Sequence, residues 1–203
     1  MENKETSEAV NWNEKTELEL LELVYSYASN GLRYGKSKQA KDWLKSKMLT
    51  VENSMACFNS GQLHHRKEKE FKESLERIGF MKVSNFASNC NSIPYTVFGS
   101  FSIMFPLRNE KNEIVNFYSM GIKNDKTDYM NLEGLYPGYP SEQTKRLFVV
   151  DNIMDAATML ESKILDNREA VIALNNGVFL DQHVKAIKSL KHLSEVIQIK
   201  IKK

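Results

Sequence analysis

The chain has 203 residues, 41% hydrophobic and 27% charged, enough to bury the core of one large domain or two small ones. A net charge of +2 is too mild to diagnose a nucleic-acid partner, which only local clustering can do. Two cysteines, Cys57 and Cys90, exclude a zinc site and a disulfide framework. They read as ordinary thiols of a reducing compartment. No apolar run approaches the ~18 residues of a membrane span. The acidic, polar start is no secretory signal, so a cytoplasmic location without a membrane is expected.

Residues 1–12 read as a disordered tail. A helix is predicted over 13–30, with Asn11 and Glu14 as its capping box. Leu20, Leu21, Val24 and Ala28 share one face at helical spacing, and Gly31 is the expected stop. A second helix over 37–47 turns Ala40, Trp43 and Leu44 inward, and Thr50 with Glu52 and Asn53 starts a short helical turn. A third helix covers 67–78, with Phe71, Leu75 and Ile78 as its apolar stripe and Gly79 as its stop. Residues 85–92 form a polar loop. From Tyr95 the period becomes that of strands: 103–105 and 114–118 flank the connector Arg108-Asn109-Glu110-Lys111-Asn112 as a β-hairpin or meander. Residues 124–128 are a second polar loop. Residues 134–139, beside Pro137 and Pro140, are irregular, aromatic and packed.

From Leu147 buried runs alternate with amphipathic helices. Runs at 147–150, 170–174 and 196–201 give strand–helix–strand–helix–strand, the signal of parallel βαβ units. Met154, Ala157, Met159 and Leu160 line the first crossover helix, and Val184, Ile187 and Leu190 the second. The strands deliver Asp151, then Asn175-Asn176-Gly177, then Ile201, Lys202 and Lys203 to one edge. The fold class is α+β: helices with antiparallel strands, followed by a small α/β unit.

Several clusters carry a chemical reading and a structural one. Asp151 and Asp155 are a residual metal or catalytic pair; alternatively Asp151 caps the helix and Asp155 complements its positive end. Asn175-Asn176-Gly177 is an anion-binding loop or a tight turn whose glycine supplies φ > 0. His64, His65, Arg66 and Lys67, with Lys69 and Lys72, form the densest basic cluster. They contact nucleic-acid phosphates, or they start a solvated helix offset by Glu68, Glu70, Glu73 and Glu76. Adjacent histidines point apart on a regular backbone, so these two alone make no metal site. Arg33, Lys36, Lys38 and Lys41 with Tyr34 form a second basic stretch, with the aromatic interleaving of single-strand binders. Lys185, Lys188 and Lys191 form a helical stripe, a DNA-facing surface or a solvated face, and Lys200, Lys202 and Lys203 extend the cluster. There is no serine elbow and no phosphate-binding P-loop.

These residues resemble a known family. "SIMFPLRNEKNEIVNFY" is similar to the strand–turn–strand of bacterial DnaG-type primase cores, and "LFVVDNIMDAATML" to the first metal-binding motif of the Toprim fold. "VIALNNGVFLDQHVKAIKSL" resembles the next Toprim segment, and "AKDWLKSKMLTVENSMACFNSGQ" the helical lead-in of the primase core. "GLYPGYP" is most like primase-related proteins of mobile elements. The resemblance implies a primase-core-like N-terminal subdomain over 13–143 and a partial Toprim-like subdomain over 144–203. Nucleic-acid contacts are expected at His64, His65, Arg66, Lys67 and Arg108.

The departures concern the chemistry. The family's glutamate after the first Toprim strand is Asp151 here, its glycine is Asn152, and its next aspartate is kept as Asp155. The family's magnesium-holding Asp-x-Asp pair falls on Ile201 and Lys203, and its basic residues by the strand–turn–strand fall on Ser102 and Met120. A lysine brings charge and no acceptor, so it repels magnesium. The expectation is a primase-like, catalytically inactive protein of a mobile element with no cofactor. It would act in DNA replication or transfer, with DNA or a replication protein as partner. Two other readings stay open. One is an active primase-type nucleotidyltransferase using magnesium at a rearranged acidic site. The other is a protein–protein interaction module without DNA binding.

Overall fold

The computed structural model describes residues 11–35, 37–84 and 95–200. Residues 1–10, Lys36, the expected loop over 85–92 with Cys90, and Ile201, Lys202 and Lys203 lie outside them. Trp12 opens a 3-10 turn, Trp12–Glu14, and packs edge-on against Phe71 with ring centroids 4.8 Å apart.

Helix α1 spans Glu17–Arg33. Its capping box is Thr16 with Glu19, not Asn11 with Glu14. The Thr16 hydroxyl accepts the Glu19 N–H at 3.3 Å, and the Glu19 carboxylate accepts the Thr16 N–H at 2.7 Å. The reason is that residues 12–14 form their own turn and Lys15 is extended, which resets the helix start. The helix also runs through Gly31, the expected stop, to bury Leu32 completely. Burying a leucine gains about 1.5–3 kcal/mol, more than the ~1 kcal/mol penalty of a helical glycine.

Helix α2 is Lys38–Ser46, α3 is Val51–Ser54 and β1 is Cys57–Asn59. Helix α4 is Lys69–Arg77, closed by Gly79 at φ +74°. Strands β2 (Met81–Val83) and β3 (Tyr95–Val97) form a small antiparallel pair. Strands β4 (Ser102–Arg108), β5 (Ile114–Gly121) and β6 (Thr127–Tyr129) join β1 in an antiparallel sheet of order β1-β4-β5-β6. The predicted hairpin is β4–β5, with Phe105 opposite Tyr118. Pro106 is tolerated because β1 pairs only with residues 102–104, so β4 has no described second neighbour at the proline. The expected loop at 124–128 is half strand: Thr127 pairs with Met120, because β5 offers a free edge there.

The rest alternates strand and helix: β7 (Arg146–Val150), α5 (Ile153–Ser162), β8 (Glu169–Ala173), α6 (Asp181–Ser189) and β9 (Glu195–Ile199). The three strands are parallel, in order β8-β7-β9. Helix α5 buries Ile153, Ala156, Ala157 and Met159, while Met154 and Leu160 pack at the border. In α6 the inward residues are His183 and Ala186, not Val184, which is 39% exposed. The His183 ring is held by two backbone groups, and that sets the rotation of the helix.

One core cluster runs through both regions. Phe105, Leu107, Tyr118 and Tyr136 pack with Val150, Ile153, Ala156, Ala157, Val171 and Ala173. Tyr136 is buried; its hydroxyl donates to the Ser54 carbonyl at 2.7 Å, and its own carbonyl accepts the Ala173 N–H at 3.0 Å. A second cluster lies between α1, α4 and the antiparallel sheet, and a third between α6 and the parallel sheet. Among the described residues no helix is long and apolar enough to cross a membrane.

Candidate functional site

The carboxyl ends of three parallel strands define one edge of the molecule. Ligand sites of open α/β sheets lie at such edges, where strand ends and helix starts gather polar groups. Asp151 follows β7 directly. The register pairs Val150 with Ile199, so Asp151 on β7 and Lys200 on β9 are the next residues of adjacent strands. Neighbouring strands stand about 4.8 Å apart. The third strand therefore brings the Lys200 backbone level with that of Asp151.

Asp155 sits in the first turn of α5, with Asn152 as the N-cap. The Asn152 side-chain oxygen accepts the Asp155 N–H at 3.0 Å, and its amide donates to the Asp155 carboxylate at 2.7 Å. The helix is thus capped by Asn152, not by Asp151. The asparagine side chain supplies this cap. The Asp151 side chain makes no hydrogen bond with described residues, and its carbonyl accepts the Gly177 N–H at 2.7 Å.

Asn175-Asn176-Gly177 is a tight turn. Asn176 and Gly177 both have positive φ, +49° and +82°, and Asn175 and Val178 exchange backbone hydrogen bonds around them. The N–H groups of Asn175, Asn176 and Gly177 go to Val178, Leu174 and Asp151. None is left to hold an anion, which decides between the two sequence readings.

His183, which sequence reasoning missed, closes the other side of the edge. It is 2% exposed. Its Nδ1 accepts the Leu180 N–H at 2.9 Å, so the proton is on Nε2, which donates to the Ala173 carbonyl at 3.0 Å. Burial lowers its pKa, against the pull of those backbone partners. It lines a cavity of about 10 Å³, room for about one water, with Tyr129, Tyr136 and Gln182. A histidine among apolar helix positions was the available signal.

Magnesium takes near-octahedral oxygen ligands, and the acids this edge offers it are Asp151 and Asp155. Asp155 is tied into the cap, and β9 leads into Lys200. Among the described residues no three His, Cys, Asp or Glu side chains could hold a metal ion together.

The expected basic contacts are dispersed. His64 and His65 end a 3-10 turn, Gln62–His65, and their rings meet at 3.8 Å, tilted by 42°, instead of pointing apart, because the turn is not a regular helix or strand. His64 Nδ1–H donates to the Gly61 carbonyl at 2.6 Å. Arg66 lies 4.5 Å from the Phe71 ring centroid and bonds Glu68 at 3.1 Å, while Lys67 is exposed. Arg108 donates to the Asn112 carbonyl of its own turn at 2.7 Å and lies over Tyr25. No described contact joins it to the 64–67 segment. Of the lysine stripe, Lys185 pairs with Glu110 and Lys191 falls beyond the end of α6, because the helix stops at Ser189.

The second basic stretch builds a surface. The end of α1, α2 and α3 enclose an open groove of about 770 Å³ with Leu44 and Leu49 in its floor. Tyr34, 82% exposed, and Met48, 80% exposed, stand on its rim with Arg33, Lys41 and Lys45. The Lys41 ammonium donates to the Arg33 and Gly35 carbonyls at 3.3 and 3.1 Å, neutralising the negative end of α1. Arg33 faces Glu52 at 3.9 Å.

No protein-family model matches the chain, and no curated protein sequence matches it. Solved structures do. A DNA primase domain from Pseudomonas aeruginosa superposes with a TM-score of 0.69 at 16% identity, over 90% of this chain and 60% of that one. The zinc-binding and RNA polymerase domains of the Aquifex aeolicus primase give 0.68 at 11%, over 95% and 50%. The RNA polymerase domain of Mycobacterium tuberculosis DnaG, in complex with a double-stranded DNA oligomer with a 6-nucleotide overhang, gives 0.66 at 13%, over 90% and 62%. The chain thus spans 50% to 62% of the length of these structures. Its antiparallel sheet followed by a Toprim-like parallel sheet matches the fold of part of the bacterial DnaG primase catalytic core.

Proposed function

We propose that the chain is a primase-like DNA-binding module of a mobile genetic element that does not synthesise primers. The observation that carries this reading is the pairing of Val150 with Ile199, which sets Lys200 beside Asp151 where a magnesium centre needs another oxygen donor. With Asp155 held by Asn152, the edge supplies a helix cap. In this reading residues 13–143 and 144–203 are two subdomains on a shared core, and the second has become a scaffold for the first.

DNA binding draws support from the Mycobacterium tuberculosis complex and from the groove by Tyr34. Exposed aromatic rings stack bases, and the neighbouring cations follow the phosphates. His64, His65, Lys67 and Arg108 remain secondary contacts; Arg66 is occupied by Glu68 and Phe71.

Three measurements on the full chain test the proposal: magnesium calorimetry, primer synthesis on a single-stranded template, and anisotropy of a labelled thymidine oligonucleotide across a salt series. The expected outcome is no saturable magnesium binding, no nucleotide incorporation, and DNA affinity that falls steeply with salt. Incorporation abolished by Asp151→Ala and Asp155→Ala establishes an active nucleotidyltransferase instead. Absence of DNA affinity at every salt concentration leaves a protein–protein module.

A further inference from the structure

A second cavity lies beside the groove at Tyr34. The start of β4 and the β5–β6 loop enclose about 320 Å³, walled by Phe101, Ser102, Ser119, Lys123 and Lys126. The loop is closed on itself by its backbone. The Gly121 N–H donates to the Lys126 carbonyl at 2.8 Å, and the Asn124 side-chain oxygen accepts the Lys126 N–H at 3.1 Å. Neither bond uses a lysine side chain, and Lys123 and Lys126 are both exposed. The Lys123 ammonium stands over the Phe101 ring, 5.1 Å from its centroid. Phe101 has φ +54°, a conformation that bulky residues rarely adopt, and its ring is braced edge-on by Phe58 at 5.7 Å. A fixed ring beneath the ammonium holds Lys123 at the cavity.

The cavity and the groove are neighbours. Lys47, between the groove residues Lys45 and Met48, faces Asp125 of the loop at 4.0 Å. Leu44 and Leu49 of the groove floor share one core cluster with Phe101 and Ile122 of the cavity wall. The acids along this surface are Glu52, Asp125 and Asp128. Glu52 faces Arg33 and Asp125 faces Lys47, while the Asp128 carboxylate accepts the Tyr129 N–H at 3.0 Å. Lys45, Lys123 and Lys126 form no ion pair among the described residues, which leaves the surface with an excess of cations.

We propose that the groove and the cavity form one path for a single strand of DNA, with a base stacked on Tyr34 and neighbouring phosphates held at Lys123 and Lys126. An aromatic platform joined to a cation-lined track is the arrangement that holds single strands without reading their sequence. The path rests on the DNA-binding reading of the groove and extends it across the Lys47–Asp125 pair to a site on the antiparallel sheet.

Fluorescence anisotropy of the full chain tests the path, with labelled thymidine oligonucleotides of about 4 and about 12 nucleotides across a salt series. On the long strand, Lys123→Ala with Lys126→Ala lowers the slope of log affinity against log salt by about 1.4, two phosphate contacts at about 0.7 each. The same variant leaves the affinity of the short strand within about twofold, since the groove alone holds it. Lys123→Arg with Lys126→Arg keeps the wild-type slope, and Tyr34→Ala weakens both lengths. A long-strand slope that the double alanine variant leaves unchanged, with Tyr34→Ala still weakening binding, overturns the path and spares the groove. If Tyr34→Ala changes neither length, the groove reading falls and the path falls with it.

Discussion

The Glu161 carboxylate, near the end of α5, accepts the Thr50 backbone N–H at 2.8 Å across 111 residues of sequence. It also accepts the Thr50 hydroxyl at 2.9 Å and the Asn53 side-chain amide at 3.0 Å. One acid thereby anchors the start of α3, a helix too short to hold itself, to the βαβ unit. Burial pushes this carboxyl's pKa up, but the Thr50 and Asn53 donors outweigh it and the net shift is downward.

Glu161→Ala is expected to lower stability at neutral pH by about 1–2 kcal/mol, the range of hydrogen bonds to a charged, partly exposed acceptor. The native group holds its proton less tightly than the unfolded one. Its contribution is therefore complete above the unfolded carboxylate value of about 4.3 and is lost as pH falls through the native value. Urea unfolding midpoints of wild type and variant should differ at neutral pH and converge in acid. A gap that persists unchanged into acid removes the carboxylate charge from the account.

His183 makes the range between neutrality and mild acid informative. Its native pKa lies below the usual value because the ring is buried, so the unfolded state takes up a proton first as pH falls. Stability is complete above the unfolded histidine value of about 6.5 and declines below it. Protonation also removes the Nδ1 acceptor of the Leu180 N–H. In a His183→Gln variant the decline between neutrality and mild acid should shrink, at a loss of about 1–3 kcal/mol near neutrality for the disturbed buried partners. Equal slopes in both proteins sink the assignment.

Phe105 joins the halves from the middle of β4: its ring meets Tyr136 at 5.6 Å and Tyr118 at 6.2 Å, fully buried. Phe105→Ala should cost about 3–5 kcal/mol through lost burial and the cavity left behind. Because the cluster also holds Val150, Ala156 and Val171, heating should unfold both halves in one transition. Calorimetry of the wild type that resolves two transitions contradicts this.

At the groove, Tyr34→Ala should weaken binding of a thymidine oligonucleotide by about 1–3 kcal/mol, the range for a lost stacking platform. Lys45→Ala should instead lower the slope of log affinity against log salt by about one. Fluorescence anisotropy separates the two effects, and unchanged values for both variants move the DNA contact elsewhere.

Periodicity alone located α1, the β4–β5 hairpin and the β7-α5-β8-α6-β9 alternation, since each buries a stripe whose spacing is a local property of the chain. The capping box moved to Thr16 and Glu19 because two boxes were written into adjacent residues and only the folded turn at Trp12 chose between them. Strand β6 was illegible because Thr127–Tyr129 is polar and becomes a strand only by pairing with β5. The inward turn of His183 was likewise hidden, since its two partners are backbone groups of Leu180 and Ala173.

What the sequence determined by itself is the order of elements, a function of residue type and spacing. What tertiary structure decided is which groups face one another: Lys200 beside Asp151 through strand register, Asn152 instead of Asp151 at the helix cap, and the backbone of Asn175 to Gly177 closed against anions. Strand pairing and capping join groups by direction and distance in space, which residue spacing along the chain does not encode.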